Sequence, residues 1–472
     1  MKLSAIYTAG NILVRAIGFL LLLVYTRFIP PSEYGMVALA EALAAVLAVI
    51  SWAMQGSVQR LYFDYSGSER QPRFLAATVA MMGLFMAVIL GLGAGAAPAV
   101  LRSVAPNFGP QFFPFVLLAV GTVALNQVTE MQMLLETLEH RARRYTLFAI
   151  ILASGSGLGS LIFVVGLRWG GLGLLIGKLV ASVVIASYVA WSWRSWLQAP
   201  SFRIMRQLAV VAATLLPYHF LALGLTAADR FILKLYRPLA DVGIYSVAYS
   251  FGMVMNILVS SVLQAWAPEF YRMATDHEGK PAAAMGTIST ALLAGLIGIA
   301  TFGVAISPGF IRTFLDARYE RAAPIVPIII ASLALHAFFA LVQLGLRQLH
   351  RFTTIVWISA VAFAVNLGLN FALIPRYGLY GAAWATLAGY AVEAVLCMAM
   401  SQRLYPIPLQ WSKLAFALAV LASALVMTVA GIPHSGWWLS GLVAISALML
   451  KKYIMLAVRS LLGSNQVPPG PA

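Results

Sequence analysis

The chain has 472 residues, of which 61% are hydrophobic and only 10% are charged. Soluble globular proteins carry about 25% charged residues, so this composition excludes a soluble globular protein. The formal net charge of +16 would suit a nucleic-acid-binding protein, but the basic residues lie mainly in short segments between apolar runs. We therefore expect a membrane protein and no nucleic-acid partner.

Apolar runs of about 18 residues or more recur along the whole chain, and each can cross a hydrocarbon layer of about 30 Å as a helix. We predict fourteen membrane-spanning helices. The first six lie near 5–29, 35–57, 74–97, 112–135, 146–166 and 172–194. The second six lie near 207–232, 242–265, 285–306, 323–346, 353–374 and 379–401. The last two lie near 412–431 and 436–456.

An even number of spans leaves both termini on the same side of the membrane. With the N-terminus inside, the inner segments hold about twice as many lysines and arginines as the outer ones, so both termini are predicted to be cytoplasmic. The first apolar run lacks a cleavage site of small residues, and we interpret it as a retained helix. The single cysteine, Cys397, can form no intramolecular disulfide.

Two sequence motifs occur twice at one separation. The segment RWGGLG at 168–173 returns as RYGLYG at 376–381, which is 208 positions further on. At the same offset SEYGMVALA at 32–40 falls on ADVGIYSVA at 240–248. The common offset indicates an internal duplication of a six-span unit.

The duplication predicts the domain organisation. The predicted segments are an N-lobe at 1–199, a C-lobe at 200–404, the last two spans at 405–460 and a cytoplasmic tail at 461–472. Because six spans return the chain to its starting side, the two copies have the same orientation. Such repeats are related by a pseudo-twofold axis along the membrane normal, with a substrate path between them.

The RWGGLG motif itself predicts a helical hairpin and not a catalytic loop. Gly170 and Gly378 can adopt the left-handed backbone conformation that ends a helix. Gly173 and Gly381 allow the next helix to pack closely.

The segments TRFIPPSEYGMVALAEAL and RLYFDY around the second span, and RYGLYGAAWAT at the start of the twelfth, resemble a known family. It is the polysaccharide-biosynthesis branch of the multidrug/oligosaccharidyl-lipid/polysaccharide exporter superfamily, the Wzx-type flippases. The resemblance covers essentially the whole chain. It implies an all-α integral membrane protein with two six-helix lobes in a V, two additional C-terminal helices and an alternating-access mechanism.

The resemblance also implies a function. It is the translocation of an undecaprenyl-diphosphate-linked oligosaccharide from the inner to the outer leaflet of a bacterial cytoplasmic membrane, for surface polysaccharide such as O-antigen or exopolysaccharide. The implied partners are the polyprenyl-diphosphate-linked oligosaccharide, membrane lipid and a polysaccharide polymerase complex.

Arg15 lies in the middle of the first span, where a charge costs about 2.5–3.5 kcal/mol on insertion scales. A guanidinium offers several donors in a planar fork that suits phosphate oxygens. The resemblance implies a diphosphate headgroup and an essential arginine in the first helix, so we favour a role in binding it. The alternative is a structural ion pair, for example with Glu41 of the second span.

Further candidates for the substrate path carry charged or titratable side chains. Lys178 either faces a cavity or extends its ammonium to the outer interface. Arg27 and Arg230 end their spans and either guide the headgroup or, as we favour, anchor the helices. His219 either senses protons, lines a hinge or is an ordinary buried histidine, which is the commoner case. Glu41 is the only intramembrane acid near the N-lobe cavity in the first three spans.

A possible cation site lies in the C-lobe. Asn366 and Asn370 are four residues apart in a span, which places both carboxamides on one helix face. The resemblance maps the sodium site of lipid-precursor flippases onto Asp229, Asn366, Asn370, the carbonyl of Ala382 and Thr386. Asn370 stands where an acid can occur, which weakens cation binding and leaves proton coupling open. The alternative is an ordinary polar contact between helices. We expect no cofactor, and Na⁺ or H⁺ as the coupling ion.

No sequence motif indicates catalysis. The segment GLGLLIGKLV at 171–180 has Leu179 where a phosphate-binding loop needs serine or threonine, and we expect no enzymatic activity. Three functions stay open. We favour the flippase, because an anionic headgroup needs cations. A cation-coupled multidrug exporter of the same superfamily would need acidic groups in its N-lobe cavity. A membrane polymerase or glycosyltransferase would need a sizeable outer loop.

Overall fold

The structure is a computed structural model that describes residues 2–104, 110–196, 198–275, 281–431 and 441. The described residues form thirteen α-helices and no β-strand. Twelve helices are long and apolar enough to cross a membrane, and the first contributes the apolar segment Ala16–Phe28. The predicted class, an all-α integral membrane protein, is confirmed. Apart from Gly441, the predicted fourteenth span at 436–456 lies outside the described residues.

The helices follow the predicted spans in order. The first six are α1 (Lys2–Phe28), α2 (Pro31–Tyr65), α3 (Gln71–Val104), α4 (Phe113–Leu138), α5 (Ala142–Leu161) and α6 (Gly170–Ser192). A π-helix at Ile162–Gly166 extends α5 to the hairpin. The others are α7 (Phe202–Tyr236), α8 (Leu239–Thr275), α9 (Pro281–Phe314), α10 (Val326–Gln348), α11 (Phe352–Tyr377), α12 (Leu379–Leu404) and α13 (Trp411–Val429). Each of the first thirteen predicted spans coincides with one helix.

The chain divides into two compact units, one from Ile6 to Ser246 and the other from Val247 onwards. The division falls within α8 and not at the predicted lobe boundary at 199/200. The physical reason is that α7 packs along α2 and also contacts α3. This division concerns packing, so the duplicated segments stay a sequence-based prediction.

The first unit is organised around α2, which packs against α4 and α7. Its largest buried cluster includes Met54, Phe74, Met131 and Leu208, so that α2, α3, α4 and the start of α7 share one core. In the second unit α10 is buried along nearly its whole length. It packs against α9 and α12, while α11 packs on α12 and α13 on α9.

The two repeated motifs form one contact in the first unit. Gly170 has a φ of 55°, and the backbone N–H of Gly171 donates a hydrogen bond of 2.8 Å to the Glu33 carboxylate. A Cβ on Gly170 would lie 2.1 Å from Glu33 Oε2, so glycine leaves room for the acid. A carboxylate is favourable there because the N-terminus of a helix carries a partial positive charge. The contact explains why SEYG and RWGGLG occur together.

Both hairpins contain a glycine with a positive φ, but neither is the helix-ending αL glycine that was predicted: Gly378 follows α11 with a ψ of −125°, and Gly170 begins α6. Gly378 has a φ of 57°, close to that of Gly170. A Cβ on Gly173 would lie 3.0 Å from the Phe163 carbonyl oxygen, and one on Gly381 would lie 2.5 Å from that of Leu373. In both hairpins the following helix therefore lies directly against the backbone of the preceding one.

Equivalent glycines of the two copies also lie against each other. A Cβ on Gly35 would lie 2.1 Å from the Leu239 carbonyl oxygen, and one on Gly243 would lie 1.9 Å from that of Pro31. The first turns of α2 and α8 therefore approach backbone to backbone.

Candidate functional site

A mainly apolar cavity that contains a few polar and charged side chains lies among α2, α4, α5 and α6 of the first unit and has a volume of about 340 Å³. Its polar lining comprises Glu41, Thr122, Asn126, Ser156 and Lys178. Small-molecule sites span about 300–1,000 Å³, so this cavity suits part of a headgroup and not a whole oligosaccharide.

Lys178 of α6 and Glu41 of α2 form an ion pair in this cavity. Lys178 Nζ donates to Glu41 Oε1 at 2.5 Å, and the side chains are 34% and 43% exposed. Lys178 thus lines the cavity, which is the first of its two predicted placements. An ion pair with this exposure contributes about 1 kcal/mol or less, so it can open at small cost.

Beside the ion pair, Ser182 Oγ donates to Asn126 Oδ1 at 2.7 Å and joins α6 to α4. The ammonium of Lys178 has three donors and Asn126 has an amide, so the cavity offers donors to a phosphate and acceptors to sugar hydroxyls. The backbone of Arg15 lies in α1, but its side chain is outside the described residues. Its predicted role in binding a diphosphate stays a prediction.

The other predicted path residues have local partners. Arg27 is exposed in the last turn of α1. The guanidinium of Arg230 donates to the Thr226 carbonyl and lies 3.5 Å from Asp229 Oδ1. The ring of half-buried His219 lies 6.3 Å from that of Trp52, so its surroundings are partly aromatic. Substrate binding by these residues stays a prediction.

Asp229 is only 1% exposed, and both of its carboxylate oxygens have donors within its own unit. Tyr245 donates its hydroxyl to Oδ2 at 2.6 Å, and the backbone N–H of Arg230 donates to Oδ1 at 2.8 Å. With the Arg230 guanidinium also near, the carboxylate already has a positively charged neighbour.

The remaining residues of the predicted sodium site lie together in the second unit. Asn370 Nδ2 donates to Asn366 Oδ1 at 3.0 Å, and Thr386 Oγ donates to the Ala382 carbonyl at 3.0 Å. All four residues are at most 1% exposed. The two asparagines therefore share one helix face as predicted.

Two atoms of the asparagine pair, Asn370 Oδ1 and Asn366 Nδ2, are buried without a hydrogen-bond partner. An amide oxygen can bind a hard cation, whereas an amide nitrogen cannot. Because amide orientations are assigned from hydrogen bonding, rotating both amides exchanges which residue presents the oxygen. The site thus offers one unpaired oxygen in either orientation. Among the described residues no group of three or more His, Cys, Asp and Glu side chains could hold a metal ion.

The sequence did not single out His336, which lies on α10 next to Glu393 of α12. His336 Nδ1 lies 3.0 Å from Glu393 Oε2, and Ser359 of α11 donates to Glu393 Oε1 at 3.1 Å. A histidine in the middle of an apolar helix was the available signal. A second intramembrane carboxylate, Glu130 of α4, accepts a hydrogen bond of 2.8 Å from Gln55 Nε2.

The fold is similar to those of known membrane transporters. A structure of the lipid II flippase MurJ in an inward closed conformation matches with a TM-score of 0.73 and 13% identity, over 97% of this chain and 99% of that chain. An inward-facing multidrug resistance MATE family transporter of the MOP superfamily matches with a TM-score of 0.66 and 11% identity, over 85% and 97%. A MATE transporter of Vibrio cholerae matches with a TM-score of 0.55 and 13% identity, over 85% and 98%. At these identities the matches define the fold, which is that of a multi-pass membrane transporter.

The sequence comparison identifies the family. A family model described as polysaccharide biosynthesis protein matches residues 1–274, which is more than half of the chain. The chain belongs to this family of polysaccharide biosynthesis proteins, which confirms the predicted resemblance. No curated protein sequence matches the chain.

Proposed function

We propose that the protein is a flippase for a polyprenyl-diphosphate-linked oligosaccharide. It moves this lipid from the inner to the outer leaflet of a bacterial cytoplasmic membrane by alternating access, with both of its own termini in the cytoplasm. The oligosaccharide then supplies surface polysaccharide synthesis, and the protein itself catalyses no bond formation. A complex with a polysaccharide polymerase stays a prediction.

One observation carries this proposal: a lysine lines a cavity among the apolar helices of a polysaccharide biosynthesis protein. A diphosphate crossing the membrane needs a cation inside it, because an unpaired charge in hydrocarbon is costly. Lys178 satisfies this need by exchanging the Glu41 carboxylate for phosphate oxygens. The modest strength of the partly exposed ion pair makes this exchange reversible, as a transport cycle requires.

The lipid tail need not enter the cavity, because the bilayer already solvates it. The diphosphate and all of its sugars must cross, and the cavity volume of about 340 Å³ fits the diphosphate with part of the oligosaccharide. Arg15, which we predict to be a second cation, would bind the other phosphate.

The test uses the purified full chain in proteoliposomes that contain lipid-linked oligosaccharide extracted from the source cells. An impermeant glycosidase reports how much oligosaccharide faces outwards. We expect the protein to make the inner half of the substrate accessible, and Lys178→Met and Arg15→Ala to abolish this. Lys178→Arg, the matched control, keeps the cation and should retain most of the activity. If the protein-containing vesicles are no faster than protein-free ones, the proposal is wrong.

A cation-coupled multidrug exporter is the second candidate, and the acidic Glu41 in the cavity is the observation that favours it. A cationic drug would pair with Glu41 in place of Lys178. Accumulation of a cationic dye against a gradient in the same vesicles, with loss in Glu41→Gln and none in Lys178→Met, would identify the exporter.

A further inference from the structure

Three polar side chains from three helices meet inside the second unit. His336 belongs to α10, Ser359 to α11 and Glu393 to α12, and both carboxylate oxygens of Glu393 are engaged, at 3.0 Å by His336 and at 3.1 Å by Ser359. Glu393 is 2% exposed, whereas the side chain of His336 is 27% exposed. The partly exposed imidazole of His336 therefore lies between the surface of the helix bundle and the buried carboxylate of Glu393.

The groups around this cluster are aromatic or weakly acidic. The ring of Tyr390 lies 4.9 Å from that of His336, and its hydroxyl lies 3.5 Å from that of Tyr249 of α8. Cys397, one helical turn after Glu393, is within electrostatic reach of the carboxylate. In the part of the chain that the structure describes, His336 is the only basic side chain within 4.0 Å of the Glu393 carboxylate.

This arrangement has a consequence for charge. If the imidazole is neutral, the Glu393 carboxylate is a buried negative charge without a counter-ion, which is strongly unfavourable. One added proton makes the pair neutral overall, whether it resides on the imidazole or on the carboxyl group.

We propose that His336, Ser359 and Glu393 form a proton-binding site that couples transport to the proton gradient. A proton arrives from water on the imidazole of His336 and is shared with Glu393 between Nδ1 and Oε2, and only N–H and O–H bonds form or break. Ser359 fixes the other carboxylate oxygen, so Glu393 stays directed at the histidine. The coupling role rests on the proposed flippase function, whereas proton binding does not.

The coupling is tested in the same proteoliposomes with an imposed pH difference of one unit. That difference is about tenfold in proton activity, so exchange of one proton per substrate shifts the steady-state leaflet ratio of the lipid-linked oligosaccharide about tenfold. Glu393→Gln should still equilibrate the substrate between the leaflets but lose the shift. Glu130→Gln, the matched control at another intramembrane carboxylate, should keep it.

Proton binding is tested without substrate, by infrared difference spectroscopy of the purified full chain between acidic and alkaline pH. We expect a carbonyl band of a protonated carboxyl group that disappears in Glu393→Gln and is altered in His336→Gln. If Glu393→Gln does not fold, Ser359→Ala should shift the same band.

The outcomes separate the two proposals. If the infrared band is present but the vesicles show no transport, the proton site stands and the flippase function fails. If transport proceeds without response to the pH difference in the wild type, the coupling is overturned. If the infrared carbonyl band is unchanged in Glu393→Gln, the proposed proton site is wrong.

Discussion

The ion pair of the first unit and the buried polar clusters of the second differ in how open they are. In the first unit Lys178 and Glu41 are 34% and 43% exposed beside a cavity of about 340 Å³. In the second unit Asn366, Asn370 and Glu393 are at most 2% exposed. A large ligand can reach the first set, whereas only something the size of an ion can reach the second. This difference in exposure is why we propose substrate binding for the first unit and binding of the coupling ion for the second.

The largest effect is expected where a buried group loses its partner. His336→Leu leaves the Glu393 carboxylate without its basic partner and should lower the free energy of unfolding by about 3–5 kcal/mol. Thermal unfolding of the purified protein in detergent measures this. The double variant His336→Leu/Glu393→Leu removes both polar groups and should recover most of the loss. A single variant as stable as the wild type would contradict the burial of this cluster.

Lys178→Met should affect stability little and transport strongly. Because the ion pair is partly exposed, we expect the free energy of unfolding to fall by about 1 kcal/mol or less. Transport should nevertheless fall at least about tenfold, equivalent to about 1.4 kcal/mol, because the cation for the diphosphate is gone. The same unfolding and vesicle assays measure both quantities. A large loss of stability with normal transport per folded molecule would make the pair structural.

Sodium binding at the asparagine pair would appear as ligand stabilisation. If the unpaired oxygen of Asn366 or Asn370 binds Na⁺, replacing K⁺ by Na⁺ at about ten times its Kd stabilises the protein by about 1.4 kcal/mol. Asn370→Leu should abolish this shift. Gly368→Ala is the control, because a Cβ there meets nothing within 4 Å. Equal unfolding temperatures in Na⁺ and K⁺ would leave the proton as the coupling ion.

The smallest effect is expected at His219. His219→Phe keeps a ring beside Trp52 and should change transport by less than about twofold, since the contacts of this histidine are aromatic. Transport at several pH values measures it. Loss of a pH response in this variant would move proton sensing from the second unit to the first.

The helices could be predicted because membrane helices are set by the length and hydropathy of single segments. The close packing of the hairpins after Gly170 and Gly378 could also be predicted, because it depends on a few consecutive residues. The pairing of Lys178 with Glu41 could not be read from the sequence, because the residues are 137 positions apart and either of two cations could face the acid. His336 was missed for the same reason, since its partner Glu393 lies two helices further along the chain.

The packing of α7 shows what the sequence repeat could not predict. The predicted duplication relates the motifs at Gly170 and Gly378, but a repeat in sequence does not determine which helices pack together. Contacts with α2 place α7 in the first unit. Hydrophobic surfaces of membrane helices carry little information about the chosen neighbour, because lipid solvates them equally well.

The contact between Gly35 and Gly243 bears on how a duplicated gene can diverge. Each glycine leaves room for the backbone of the helix that carries the other, and the predicted duplication makes these two positions equivalent. A larger residue at either glycine would overlap the backbone of the other helix, so a substitution at one position disturbs both helices.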